Sequence, residues 1–283
     1  MFPLRVVPWW TDEATRFLVN LMKWYPKLIG RRCRALEAGG GNSTLFLLSK
    51  GIQVTTLDDD GGYIDFVRKA AEAAGASVNV TDTVPVETPT HDLTLVCCEK
   101  FDMDKHTSGS RYKATGLDEM ELGYDFLIND GFDRMFFLQR FRNSPNAIIV
   151  LDNCERAANW GRLPNSAGNI DLIKEYRSFL RDPDWNKIQF EQGEGREGRS
   201  VADVTGAETI SRTLTAIAWH QKHPLTRLMV SNLGFPLTNF DGLDDKDLET
   251  VLERCPFDWD KMQWVLDDFT PESLNLGLDR SYD

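Results

Sequence analysis

The sequence is short of positive charge. Its 283 residues carry 44 Asp and Glu against 32 Lys and Arg, a net charge of -12 with a pI near 4.9. Phosphate-rich partners are held by clustered Lys and Arg, so this balance argues against a nucleic-acid binder that works by long-range attraction. No apolar run approaches the roughly 18 residues of a membrane span, and the opening Met1-Phe-Pro-Leu-Arg-Val-Val-Pro8 is too short and Pro-broken for a secretory signal. Five cysteines, at 33, 97, 98, 154 and 255, fall in no Cys-x-x-Cys or Cys/His spacing. That excludes a zinc site legible in the spacing and fits a reducing compartment. The four histidines (91, 106, 220, 223) form no cluster. The expected setting is cytoplasmic, with no nucleic acid and no membrane as partner.

What is present is enough for a folded core. Hydrophobic residues make up 41 % of the chain and eight are Trp, which rules out wholesale disorder. The acid is unevenly spread: 241–283 holds 13 acids against 4 bases, a net of -9, and leaves only -3 for the first 240 residues. That shift follows Asn232-Leu-Gly-Phe-Pro-Leu237 and places the expected boundary between a main domain, 1–240, and an acidic extension, 241–283. In the extension, Leu248, Val251 and Leu252, then Trp259, Met262, Val265 and Leu266, recur at helical spacing. Two short amphipathic helices broken around Cys255-Pro256 are expected, docked on the main domain or serving a partner such as a second copy in a homodimer.

Within the main domain, strand and helix patterns alternate. Thr11-Asp-Glu opens a helix with apolar residues at Phe17, Leu18, Leu21 and Met22. Strands are expected over 33–38, 52–57, 77–80, 93–97, 124–128, 147–151, 188–190 and 214–219, with helices over 44–50 and 63–74 stopped by Gly51 and Gly75. Such alternation predicts an α/β fold, a doubly wound and mainly parallel sheet, closed by an antiparallel pair where no helix separates the last two strands. Trp9 and Trp10 are expected as packing residues, His91 and His223 as surface or turn residues, and His220 at the end of the last strand.

In such a sheet, ligands bind at the carboxyl ends of the strands near the point where strand order reverses. Glu37-Ala-Gly-Gly-Gly-Asn-Ser-Thr44 falls there, after the first strand. Its glycines allow close backbone approach, and the following helix offers free N–H groups. One strand later comes Asp58-Asp-Asp60, where doubly wound folds bind a ribose diol. Together these features predict a nucleoside-bearing cofactor. The dinucleotide frame G-x-G-x-x-G/A is broken by Thr44, and Glu37 beside the turn would repel a pyrophosphate while suiting an ammonium and a sulfonium.

The E-x-G-x-G-x-S-T run resembles motif I of the class I S-adenosylmethionine-dependent methyltransferases, particularly those acting on small molecules. The resemblance continues through Tyr124-Asp-Phe-Leu-Ile-Asn-Asp130-Gly131 and Ala147-Ile-Ile-Val-Leu-Asp152-Asn153, covering roughly residues 9 to 221. It implies a Rossmann-like seven-stranded sheet with S-adenosylmethionine as cofactor. The methionine end would lie on Glu37, Gly39 and Gly41, flanked by Asn42, Ser43 and Thr44. Asp58 would hold the ribose, with Asp59 or Asp60 as substitutes, and Asp82 would meet the adenine. Asp130 would lie beside the transferred methyl, where it could orient or deprotonate a small-molecule acceptor, more readily at oxygen than at nitrogen.

In catechol-type relatives, magnesium is held by acids at the ends matched by Asp130, Asp152 and Asn153, so Mg2+ is a candidate second cofactor. Against the metal stands the reading of strand-end acids that only line the pocket, and the lysine base of that group is replaced here by Asp133. The polar stretch 101–116 has the length of a lid and holds His106, a candidate general base. Two other readings stay open: a methyltransferase-like binding protein without turnover, and, more weakly, an NAD-dependent oxidoreductase.

Overall fold

Thr11 starts the first helix, α1 (Asp12–Ile29), its hydroxyl accepting from the Ala14 amide at 3.4 Å. Gly30 closes it in the left-handed conformation at φ 70°. Ala14, Phe17, Leu18, Leu21, Met22 and Tyr25 return every three or four residues and form its buried face. The computed structural model describes residues 8, 10–85, 89–99, 116, 123–131, 134–152, 179, 182–192 and 213–223. Along them follow β1 (Arg34–Ala38), α2 (Asn42–Ser49), β2 (Gln53–Asp58), α3 (Gly61–Ala73), β3 (Val78–Thr81) and β4 (Leu93–Cys97). Then come β5 (Phe126–Asn129), α4 (Arg134–Phe141), β6 (Ile148–Leu151), β7 (Trp185–Gln192) and β8 (Thr213–His220).

These strands form one α/β sheet in the order β3-β4-β2-β1-β5-β6-β8-β7. The first six are parallel, and β8 runs antiparallel to both β6 and β7, as the missing crossover led one to expect. The seven strands that the resemblance implies are corrected to eight, the number of strand segments read along the sequence. Strand β4 inserts between β2 and β3, with Leu93–Cys97 facing Val54–Asp58 on one side and Leu93 facing Val78 on the other. Burial gives the reason: Leu93-Thr-Leu-Val96 is fully buried, as suits an interior strand, whereas Val78-Asn-Val-Thr81 is half-exposed and suits an edge. The chain passes from β1 to β2 on one side and later returns to β5 on the other, so strand order reverses between β1 and β5.

Trp10 is fully buried, edge-on to Phe46 with ring centroids 5.7 Å apart. His223 is a turn residue, its amide donating to the His220 carbonyl at 2.8 Å, but not a surface one: it is 1 % exposed, with Nε2 3.0 Å from the Tyr25 hydroxyl, because the chain leaving β8 folds back onto α1. His220 ends β8 as expected. Cys33, Cys97 and Cys98 are free thiols. Trp9, His106, Asp133, Asn153 and the extension 241–283 lie outside the described residues. No helix among the described residues is long and apolar enough to cross a membrane.

Candidate active site at the carboxyl ends of the strands

The site is built from the turn after β1 outward. Register places Glu37 directly opposite Thr56 of β2. The Thr56 hydroxyl donates to Glu37 Oε2 at 2.8 Å, and the Thr44 hydroxyl donates to the same oxygen at 2.5 Å. Thr44 Oγ1 in turn accepts from the Gly41 amide at 3.1 Å. One carboxylate oxygen therefore ties the glycine turn, the first turn of α2 and strand β2 together. Glu37 is fully buried, and its other oxygen, Oε1, has no hydrogen-bond partner. Burial pushes its pKa up to about 7, despite the opposing hydroxyls of Ser43, Thr44 and Thr56.

Asp58 fixes the middle of the turn. Its Oδ2 accepts from the Gly40 amide at 2.5 Å and its Oδ1 from the Asp60 amide at 2.8 Å. Burial raises its pKa, and the two amides oppose that shift. Its backbone carbonyl takes the Cys98 amide at 2.8 Å, which brings the end of β4 alongside. Asp60 caps α3, accepting from the Gly62 and Tyr63 amides at 2.7 and 3.4 Å, while Asp59 between them is half-buried. The three neighbouring acids thus differ in role: one clamps the turn, one caps a helix and one lies between.

Gly39 makes the contact across the switch point. It has φ 94°, and a Cβ there would lie 2.7 Å from Gly131 N and Cα. Only glycine lets the β1 turn touch the β5 turn, where the Asp130 amide also donates to the Ala38 carbonyl at 3.0 Å. Asp130 is half-buried at that turn. Asp152, at the end of β6, is 2 % exposed and accepts from the Thr215 hydroxyl at 2.8 Å. Thr215 Oγ1 receives the Thr11 amide at 3.0 Å, so Asp152 helps to hold the start of α1.

The structure therefore gathers Glu37, Gly39, Gly41, Asn42, Ser43, Thr44, Asp58, Asp59 and Asp130 along adjacent strand ends. Asp82 stands apart: it is exposed at the end of the edge strand, with β4 between it and β2. The position next to Asp58 belongs instead to Cys98, which the sequence did not single out and whose thiol burial pushes up to about 12. Thr56 was missed as well; only the β1–β2 register reveals that it faces Glu37. Among the described residues no group of three or more His, Cys, Asp and Glu is placed to hold a metal ion, and Mg2+ gains no support. An open groove of about 440 Å³, lined partly by Arg142, Asp182, Trp185 and His220, lies at the opposite end of the sheet and contains none of the expected site residues.

No protein-family model matches the chain, and no curated protein matches its sequence. Similar solved structures include cofactor-bound Rv0187 from MTB, 16 % identical at TM-score 0.45 over 76 % of this chain and 84 % of that one. The bifunctional kinase-methyltransferase WbdD is 14 % identical at TM-score 0.41, over 74 % of this chain and 39 % of its own. The SAH-bound methyltransferase PaMTH1 of Podospora anserina is 16 % identical at TM-score 0.39, over 74 % and 82 %. At this degree of likeness no activity passes from those proteins to this one.

Proposed function

We propose that this chain is an S-adenosylmethionine-dependent methyltransferase acting on a small molecule, at oxygen in preference to nitrogen. The observation that carries the reading is the buried Glu37 carboxylate. One of its oxygens is spent on holding the glycine turn, and the other is left without a partner at the switch point of a parallel sheet. A buried acceptor of this kind is costly until a donor arrives, and a ligand ammonium would supply one. The residues present therefore fit the amino-acid end of the cofactor. Glu37 Oε1 would take the ammonium, and the backbone of Gly39 and Gly41 with the first turn of α2, Asn42 to Thr44, would line the same end. Asp58 has lone pairs beyond those used by the two amides, so Asp58, with Asp59 beside it, would accept from the ribose hydroxyls.

When bound, the cofactor would supply an electrophilic methyl on a sulfonium. The chain's own part is placement: Gly39 against Gly131 holds the β1 and β5 turns in contact, which would set Asp130 beside the reacting end to orient or deprotonate the acceptor. A pyrophosphate fits this place poorly, since Thr44 fills the third small position and spends its hydroxyl on Glu37.

Calorimetric titration with S-adenosylhomocysteine, in the intact chain and in Asp58→Ala, tests the reading. Micromolar binding lost in the variant supports it, and methyl transfer to hydroxylated acceptors should then be measurable. Absence of binding in the intact, folded chain, or tighter binding of NAD, would overturn it.

A further inference from the structure

Glu37 and Asp58 lie on neighbouring strands and are both buried, yet the fold treats them differently. Asp58 has an amide on each oxygen, Gly40 on Oδ2 and Asp60 on Oδ1. Glu37 has the hydroxyls of Thr44 and Thr56 both on Oε2 and no hydrogen-bond partner on Oε1. That one-sided pattern suits a neutral carboxylic acid, whose carbonyl oxygen accepts two donors while the other oxygen carries the proton. A carboxylate in the same place would keep a charged oxygen buried without a donor, which costs more than a buried hydroxyl without an acceptor. The elements it touches supply no cation: α2, β2 and β5 contain no Lys, Arg or His. Helix α1 packs on β7 and β8 and carries Asp12, Glu13 and Arg16 in its first turns, and Asp59, Asp60 and Asp130 follow the ends of β2 and β5. The strongest charge acting on Glu37 is the Asp58 carboxylate, and a like charge favours the neutral form. Of these two acids, the one with amides on both oxygens keeps the charge and the other keeps the proton.

A ligand cation changes that balance. We propose that Glu37 is the neutral acid in the ligand-free fold and exchanges its proton for the ammonium group of the cofactor. The exchange balances: a carboxylic acid and an ammonium become a carboxylate–ammonium pair, and one proton leaves to water. The pair forms at Oε1, while Thr44 and Thr56 stay on Oε2. Thr56 is then a positioning residue, because its hydroxyl supports the charged form of Glu37 and leaves Oε1 as the oxygen that meets the ammonium. The proposal rests on the cofactor reading above and adds a dependence on pH. Since Glu37 titrates near 7 in the fold, affinity should be about tenfold lower at pH 6 than at pH 8.

Two measurements on the full chain test it. Carbon NMR of protein labelled at the glutamate carboxyls follows the group directly, its signal assigned by its loss in Glu37→Gln. In the ligand-free chain the midpoint should lie near 7, and with S-adenosylhomocysteine bound it should fall to about 5 or below. Calorimetric titration with S-adenosylhomocysteine, in buffers of different ionisation heat, counts the protons released. About 0.9 proton per ligand is expected at pH 6 and about 0.1 at pH 8, with none in Glu37→Gln. Thr56→Val should raise the midpoint of the free chain and carry the pH profile of affinity with it; an unmoved midpoint would overturn the role given to Thr56. A free-chain midpoint at the ordinary glutamate value of about 4.3, or binding at pH 6 that releases no proton, would overturn the exchange and leave the cofactor reading standing. A folded chain that binds no S-adenosylhomocysteine at either pH would overturn the cofactor reading, and the exchange with it.

Discussion

At the amino end of the sheet, Asp92 accepts from the Ser77 amide and hydroxyl and from Arg32. Its burial alone would raise its pKa, but these donors outweigh burial and hold the carboxyl at about 2. At the same end, in front of β5, Asp125 accepts two bonds from Arg31 and a third from the Arg34 amide. At the carboxyl end, Glu37 and Asp58 have only hydroxyls and amides for company, and burial drives both pKa values up. The same chemical group is thus stabilised at one end and held at a cost at the other. The lesson is about division of labour: the amino end is completed by the protein's own cations, whereas the carboxyl end retains acceptor capacity for something from outside.

The largest effect should come from Gly39→Ala, where the Cβ clashes with the Gly131 backbone at an already left-handed φ. A loss of roughly 3 kcal/mol or more is expected in urea unfolding, together with loss of S-adenosylhomocysteine binding. Gly30→Ala is the control from the amino end. It shares a positive φ but has nothing within 4 Å of the added methyl, so about 1 kcal/mol and intact binding are expected. Equal costs at the two glycines would break the contrast.

Next comes Asp125→Ala, which leaves Arg31 and the Arg34 amide without their shared acceptor. About 3 kcal/mol of stability should go, with cofactor affinity in the folded protein unchanged. A matching fall in affinity would show that the two ends are not separable.

A smaller effect should appear as pH dependence. Glu37 titrates near 7 in the fold against an ordinary 4.5, so the unfolded chain releases its proton first. Stability from this group is therefore lost as pH rises from about 4.5 through 7, and Glu37→Gln should remove that component. His223 has the opposite dependence: burial lowers its pKa from 6.5 to about 4. Its contribution is present above 6.5 and lost as pH falls toward 4, and Asp92 adds a loss between 3.8 and about 2. Thermal melts of the native chain and of Glu37→Gln and His223→Ala across pH 3 to 8 separate the three windows; identical profiles in all three proteins would refute the assignment.

Much of the fold was legible in local pattern. Thr11 and Gly30 are start and stop residues for α1, and Asp60 caps α3, because capping depends on neighbours within three positions. The eight strand segments could be read from β-branched and apolar runs, and the glycine turn with its spaced acids from residue type alone. Sheet order could not. That β4 displaces β3 to the edge, and so separates Asp82 from Asp58, depends on which strand can be buried on both faces once all are assembled.

The sequence by itself determined the alternation of elements, the glycine-rich turn after β1, the acids at the next strand's end and the charge asymmetry of the chain. These are local or compositional properties, set by which residues are adjacent. Tertiary structure decided the partnerships. Thr56 is nineteen positions from Glu37 and becomes its donor only through the β1–β2 register. Gly39 requires a missing side chain because Gly131 arrives from a strand far along the chain. His223 is buried because a turn folds back on α1, 198 positions earlier. Each is a contact between distant segments, and only packing chooses which distant segments meet.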